Sequence, residues 1–452
     1  MMSPCFKIDQ NSLYKKVEKD KGDNVLKRIT SYISVFIEKY MPGPFIFSIG
    51  LTFIVLALAI ITTDKSFVSL VIMWGNGLWK LNNFAMQMAL ILILGSCLAN
   101  SPVISSLLDR LVSNLRSDRQ AYFLVLSVSL ICCFINWGFG LVAAAVISEK
   151  VMRKNNNLNY PLILSLGYSG FLIWHGGLSG SIPLKISESS VFTQEYFSNE
   201  IIQLSSSIGS SFNLFLIIGT VLVLFFLLLF VFKFENSIIQ TMDKPKKLEK
   251  KQSTFSGPLF LKICVCLLLA IYLFSTGMSG GINSVITLFL FLAIISLSSF
   301  VEMENVFKKS MSQAAGILLL FPFYSAIMNL MIESELAIKV SEFFISISTV
   351  DTFLVNTFLS AGLVNFFVPS GGGQWAIQAP IILPAAKQMN LDLVKVSMAI
   401  AWGDAWTNMI QPFWAIPLLA LKGAKLEEMM KYLIVIFACT GIFYLGMMFV
   451  YK

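Results

Sequence analysis

From residue 44 to the C-terminus the chain returns again and again to apolar runs of about 20 residues, the length that crosses a bilayer as an α-helix. In lipid only helices and closed barrels satisfy every backbone N–H and C=O, and runs this continuous suit helices. Only 13% of the residues are charged, against roughly a quarter in a soluble domain, too few to cover a globular surface. The sequence therefore reads as an all-α polytopic membrane protein and excludes a soluble enzyme, a secreted disulfide scaffold and a disordered chain. The net charge of +8 does not signal nucleic acid, because Lys and Arg fall in short blocks between apolar segments, where they set membrane orientation. Cys97, Cys132, Cys133, Cys264, Cys266 and Cys439 lie in apolar runs without metal spacing and read as packing. With no nucleotide loop, CxxC pair or HExxH, neither ATP-driven nor zinc chemistry has support, and no cofactor is expected.

Full spans are expected at 44–62, 83–100, 211–233, 257–275, 285–300, 311–331 and 432–449. Two stretches break in the middle and read as re-entrant hairpins: 121–152 at Asn-Trp-Gly-Phe-Gly (136–140), and 352–387 at Val-Pro-Ser-Gly-Gly-Gly-Gln (368–374). Two more, 160–184 and 393–420, carry Gly, Pro and polar residues at mid-membrane depth and read as broken helices. With the N-terminus inside and each hairpin returning to its own side, 25 Lys and Arg lie inside and 7 outside, as the positive-inside rule requires.

This layout divides the chain into a cytoplasmic tail (1–40), a first repeat (41–233), a linker with a connecting helix (234–284) and a second repeat (285–452). The repeats share the order span, span, hairpin, broken helix, span, but insert with opposite topology. Inverted repeats with paired discontinuous helices mark secondary transporters that bind near the midplane. Residues 101–119 and 333–349 read as amphipathic surface helices, and 243–251 as a solvated linker.

Breaks in membrane helices free backbone groups that only protein, water or ligand can satisfy. Ser370, Gly371, Gly372, Gly373 and Gln374 put several N–H groups at a hairpin tip, where the positive end of the following helix favours a carboxylate; the same glycines also simply permit a sharp turn. On the other tip Asn136 can donate and accept, and Gly138 and Gly140 allow tight backbone. Trp137 and Phe139 suit either an acyl tail or ordinary packing. His175, the lone histidine, precedes Gly176 and Gly177 and is followed by Ser179; it fits a carboxylate contact or a proton relay, or a satisfied structural role. Asp404 lies within an apolar stretch, with Thr407, Asn408 and Gln411 at i+3, i+4 and i+7 on one helical face. An intramembrane carboxylate is by default a functional hypothesis: Asp404 can take a proton, or hold Na⁺ with Thr407 and Asn408, or cap the broken helix.

At these motifs the sequence resembles the bacterial short-chain fatty acid transporter family, within the ion transporter superfamily. The resemblance rests on NWGFG (136–140), YSGFLIWHGGLSGSIPL (168–184), FPFYSAIM (321–328), VPSGGGQWAIQAPIILPAA (368–386) and AWGDAWTNMIQPFWAIPL (401–418). It implies uptake of short-chain monocarboxylates such as butyrate or acetoacetate across the inner membrane, driven by the proton gradient through an elevator-like motion. Substrate residues would be Asn136, Gly138, Gly140, His175, Gly176, Gly177, Ser179, Ser370 to Gln374 and Asn408, with Asp404, Thr407 and Asn408 coupling H⁺ or Na⁺. The alternatives are a Na⁺-coupled carrier of a dicarboxylate or amino acid, a passive channel, and a membrane acyltransferase using His175 with Asp404. Two negative charges call for a fixed cation, and no Arg lies in any motif helix, so a monocarboxylate fits better. The spans at 44–62 and 285–300 are candidates for a homodimer scaffold.

Overall fold

The computed structural model describes residues 44–99, 101–155, 157–187, 197, 202–232, 259–275, 282–297, 300–411, 413–419 and 424–451. The tail 1–40 and the Lys-rich linker lie outside them. The described residues form helices and their connections, without a strand. Five helices are long and apolar enough to cross a membrane, over Phe45–Thr62, Asp118–Ile135, Ser211–Val231, Ala314–Glu333 and Leu426–Val450.

In chain order, α1 (Pro44–Thr62), α2 (Phe67–Gly77), α3 (Asn82–Ala99) and the amphipathic α4 (Pro102–Ser113) come first. Next, α5 (Asp118–Ile135) and α6 (Trp137–Lys154) pack along each other, joined through the single extended residue Asn136. The first broken helix is α7 (Tyr160–Ser169), a 3₁₀ segment (Gly170–Gly176) and α8 (Ser181–Ser187). After α9 (Ser211–Phe226), α10 (Leu259–Ser275) and α11 (Ile282–Ser296) comes the long α12 (Phe300–Glu333). Then α13 (Leu336–Ser346) precedes a second helix pair, α14 (Phe353–Phe367) and α15 (Gly371–Gln388). The second broken helix is α16 (Leu393–Thr407), a 3₁₀ turn (Asn408–Ile410) and a short helical piece (Ile416–Leu419), and α17 (Leu426–Val450) ends the chain.

The two interruptions expected inside hairpins and the two inside broken helices thus all fall where the Gly and polar residues stand. Of the seven expected full spans, four are among the five long helices. Those at 83–100, 257–275 and 285–300 fall on shorter apolar helices, and the fifth long helix, Asp118–Ile135, is the first arm of an expected hairpin. The segment 63–82, expected as a loop, contains α2, whose eleven residues are too few to register as a span. The span expected at 311–331 begins at Phe300, because the charged segment 301–310 continues the same helix beyond its apolar part.

Beyond an apolar core, the outer surface is also strongly apolar. Large apolar side chains such as Phe53, Ile61, Phe230 and Phe274 are exposed, whereas His175, Asn213, Asn365, Gln374, Gln378, Asp404 and Asn408 are buried. That is the distribution a lipid solvent selects. Closure of the first hairpin depends on Gly140: a Cβ there would stand 2.3 Å from Cys133 Sγ and 2.5 Å from its backbone N. Neither backbone can give way, so Gly140→Ala is expected to cost about 3 kcal/mol or more. A thermal-unfolding midpoint in detergent within about a degree of wild type would contradict this packing.

Candidate substrate site

Both hairpins turn on a capped helix N-terminus. Asn136 (φ −155°, ψ 125°) accepts at its side-chain oxygen from Phe139 N–H at 3.0 Å, and Ser370 Oγ accepts from Gly373 N–H at 3.3 Å. Each second arm therefore starts at the tip, where first-turn N–H groups lack intrahelical acceptors. At the first tip the connection after the first break uses them: Trp137 N–H donates to Ser179 Oγ at 2.9 Å, and Leu178 N–H to Phe134 C=O at 2.8 Å. Ser179, read as a substrate contact, here pins the tip. Gly177 allows the same approach, because a Cβ would fall 2.3 Å from Phe134 O. Gly138 packs towards Ile91 of α3 and Gly140 against Cys133.

The second tip meets the first broken helix. A Cβ on Gly371 would lie 2.6 Å from both Cε1 and Nε2 of His175, and 3.2 Å from Trp174. The His175 ring is fully buried and stacks on Trp174 with centroids 3.7 Å apart. Its Nδ1 lies 2.9 Å from Ala401 O and 3.3 Å from Asp404 Oδ1, both on α16. A carbonyl oxygen only accepts, so Nδ1 carries the hydrogen and Nε2 is the open nitrogen. Nε2 and Asp404 Oδ2 are buried without a partner. The two residues come from opposite halves of the chain and meet in the middle of the fold.

Asp404 does not share its carboxylate with Thr407 and Asn408 as the one-face spacing suggests. The Thr407 and Asn408 side chains face α14 instead. There Asn365 Nδ2 donates to Asp404 C=O at 2.8 Å, Thr407 Oγ1 at 3.0 Å and Asn408 Oδ1 at 2.8 Å, while Gln411 Nε2 donates to Asn365 C=O at 2.7 Å. Asn365 supplies the donor that the broken helix lost, and the sequence reading passed over it. Gln374, expected as a carboxylate ligand, spends its NH₂ on Ala361 C=O and Gln378 Oε1, each at 2.8 Å. Only its oxygen stays unpartnered, and an oxygen cannot hold a carboxylate.

Aromatic rings close the site. Trp137 packs edge-on against Trp414 at 5.0 Å and Trp174 at 6.1 Å, and Phe413 meets Phe321 and Tyr324 of the FPFYSAIM motif at 4.6 and 4.7 Å. Phe139 instead packs edge-on against Phe289 of α11. Of the two aromatics considered for an acyl tail, Trp137 alone joins the rings around His175.

Buried ionisable and amide groups gathered at one point are costly in a membrane. In a helical membrane protein they mark a binding site or an ion pathway, of the kind membrane transporters have. The family is given by comparison with known proteins: the chain belongs to the short chain fatty acid transporter family, whose sequence model matches residues 25–450. It is 35% identical over 448 residues to a protein of Haemophilus influenzae provisionally named a short-chain fatty acid transporter, covering 94% of this chain and all of that one. A protein of Escherichia coli K12 with the same provisional name is 34% identical over 435 residues, covering 93% of this chain and 98% of that one. Among solved structures, MtrF of Neisseria gonorrhoeae, described as an antimetabolite efflux pump, aligns with a TM-score of 0.39 at 16% identity over 94% of this chain and 97% of that one. YdaH of Alcanivorax borkumensis aligns with a TM-score of 0.44 at 13% identity over 90% and 98%. The family and its named relatives are transporters, so the chain is a transporter and not an acyltransferase.

Proposed function

We propose that the chain carries short-chain monocarboxylates into the cell by proton symport. The observation that supports this best is the open edge of His175 against the Gly371 tip. The N–H groups of Gly371 and Gly372 and the Nε2 of His175 form a donor set for one carboxylate. Nε2 donates only when protonated, so anion and proton bind together. A buried anion without compensation is expensive, and each partner therefore raises the affinity for the other, which is the linkage a symporter needs. Asp404 stabilises the resulting imidazolium through Nδ1. No permanent cation enters this set, which suits one negative charge and not two.

Na⁺ coupling at Asp404, Thr407 and Asn408 has less support. The oxygens of Thr407 and Asn408 already receive the Asn365 NH₂, and the Asp404 carboxylate turns to His175. In this proposal the two halves insert with inverted topology from a cytoplasmic N-terminus in the bacterial inner membrane, both hairpins are re-entrant, and alternating access is elevator-like.

Uptake of labelled butyrate into proteoliposomes, with an inward proton gradient in Na⁺-free buffer, tests the reading. Saturable accumulation above equilibrium, abolished by a protonophore and absent from empty liposomes, is expected. Uptake that requires a Na⁺ gradient reassigns the ion, and none under either gradient removes the substrate assignment.

A further inference from the structure

One face of α9 points outward, with Leu214, Phe215, Ile218 and Leu222 exposed, but Asn213 is fully buried. Its amide is completely used. Nδ2 donates to Gly176 C=O at 2.9 Å and to Ile208 C=O at 2.8 Å, and Oδ1 accepts from Trp402 Nε1–H at 2.9 Å. The orientation is unambiguous, because carbonyls only accept and an indole nitrogen only donates. Gly176 directly follows His175. Trp402 directly follows Ala401, whose carbonyl holds His175 Nδ1, and stands two residues before Asp404. One side chain thus ties the two broken helices together immediately beside the ionisable pair. The contact is close: a Cβ on Gly176 would fall 2.7 Å from Asn213 Oδ1 and 2.8 Å from Trp402 Cζ2.

We infer that Asn213 is a positioning residue that sets the register of His175 against Asp404 by clamping Gly176 to Trp402. The inference rests on the reading of that pair as the proton carrier. Without the clamp, the Gly176 carbonyl, freed by the 3₁₀ segment, has to find another donor in a site closed to water, and the two backbones drift apart. The ionisable group recorded against His175 is Asp404; its neighbours Trp174, Ala401 and Gly371 carry no charge, and Asn213 itself is neutral. Asn213 acts on the proton site only through geometry.

Thr220, two turns further along α9, gives a matched comparison. It is equally buried and bonds across to Tyr444 Oη at 2.8 Å, but makes no recorded bond to either broken helix. The test measures the pH dependence of KM for labelled butyrate in proteoliposomes, with detergent thermal unfolding alongside. The chains compared are wild type, Asn213→Leu, Trp402→Phe, the double variant and Thr220→Val.

Trp402→Phe is expected to raise KM at neutral pH about tenfold, the equivalent of one lost hydrogen bond. Asn213→Leu, which loses all three, should raise it at least as much, and both should move the pH profile. The double variant should add little, as for two halves of one interaction. Thr220→Val should lose stability yet keep the wild-type profile. If Asn213→Leu does not fold, Trp402→Phe decides, since it removes one donor and keeps an aromatic ring. A wild-type pH profile in the clamp variants, or an equal shift in Thr220→Val, overturns the inference. A wild-type protein whose uptake ignores pH overturns instead the reading of the His175–Asp404 pair.

Discussion

Replacing Asp404 by Asn should abolish gradient-driven accumulation of butyrate while leaving exchange of labelled for unlabelled substrate across the membrane. The side chain is 1% exposed and its Oδ1 lies 3.3 Å from His175 Nδ1. Asn keeps the shape and an oxygen that can still accept from Nδ1, but not the charge that stabilises an imidazolium. At that separation a charge pair is worth about 5 kcal/mol at an effective dielectric near 20, of which desolvation takes back a part. Gradient-driven accumulation should therefore be lost, with counterflow persisting only at high butyrate concentration. Wild-type accumulation by Asp404→Asn would remove this carboxylate from the mechanism.

The second large effect is expected at the Gly-rich tip, and it should separate two adjacent glycines. A Cβ on Gly371 meets the His175 ring at 2.6 Å, whereas one on Gly372 meets nothing within 4 Å. The ring has no room to retreat, because Nδ1 is held by Ala401 C=O and one face lies on Trp174. Both alanine variants keep their backbone N–H groups, so the difference between them isolates the added methyl. Gly371→Ala should lose about 2–3 kcal/mol of overpacking at the binding edge of His175, which is a roughly 30- to 100-fold drop in butyrate affinity. Gly372→Ala should fold with wild-type stability. Titration of butyrate against each purified variant, with unfolding midpoints recorded in parallel, checks both statements. Equal, wild-type binding by Gly371→Ala would mean that the tip does not rest on His175 in the working protein.

The architecture was legible wherever backbone disruption leaves a compositional trace. Asn136 with Gly138 and Gly140, and Ser370 with Gly371 to Gly373, stand at the two hairpin turns, and Asp404 announces itself by its cost in lipid. Partners that are merely amides leave no such trace. Asn365 and Asn213 each stand between apolar neighbours, Val364 and Phe366, and Phe212 and Leu214, and their importance comes from groups supplied by other segments. The face shared by Asp404, Thr407, Asn408 and Gln411 assumed a period of 3.6 residues through the break. Instead the carboxylate turns to His175 while Thr407, Asn408 and Gln411 meet Asn365. Gly176, Gly177 and Ser179, all near His175, hold neighbouring segments together, a role that spacing alone does not distinguish from ligand contact.

The absence of Lys and Arg from the described contacts of His175 and the Gly371 tip bears on how fast cargo leaves. Peptide dipoles at a helix start contribute about 0.3–1 kcal/mol each towards an anion, far less than a buried guanidinium, and they cannot be switched off. In the symport proposed above, what can be lost is the single proton on His175, and a carboxylate held this way would leave once that proton escapes. The more alkaline compartment would then be the one into which the site empties, with no separate latch for inward and outward delivery.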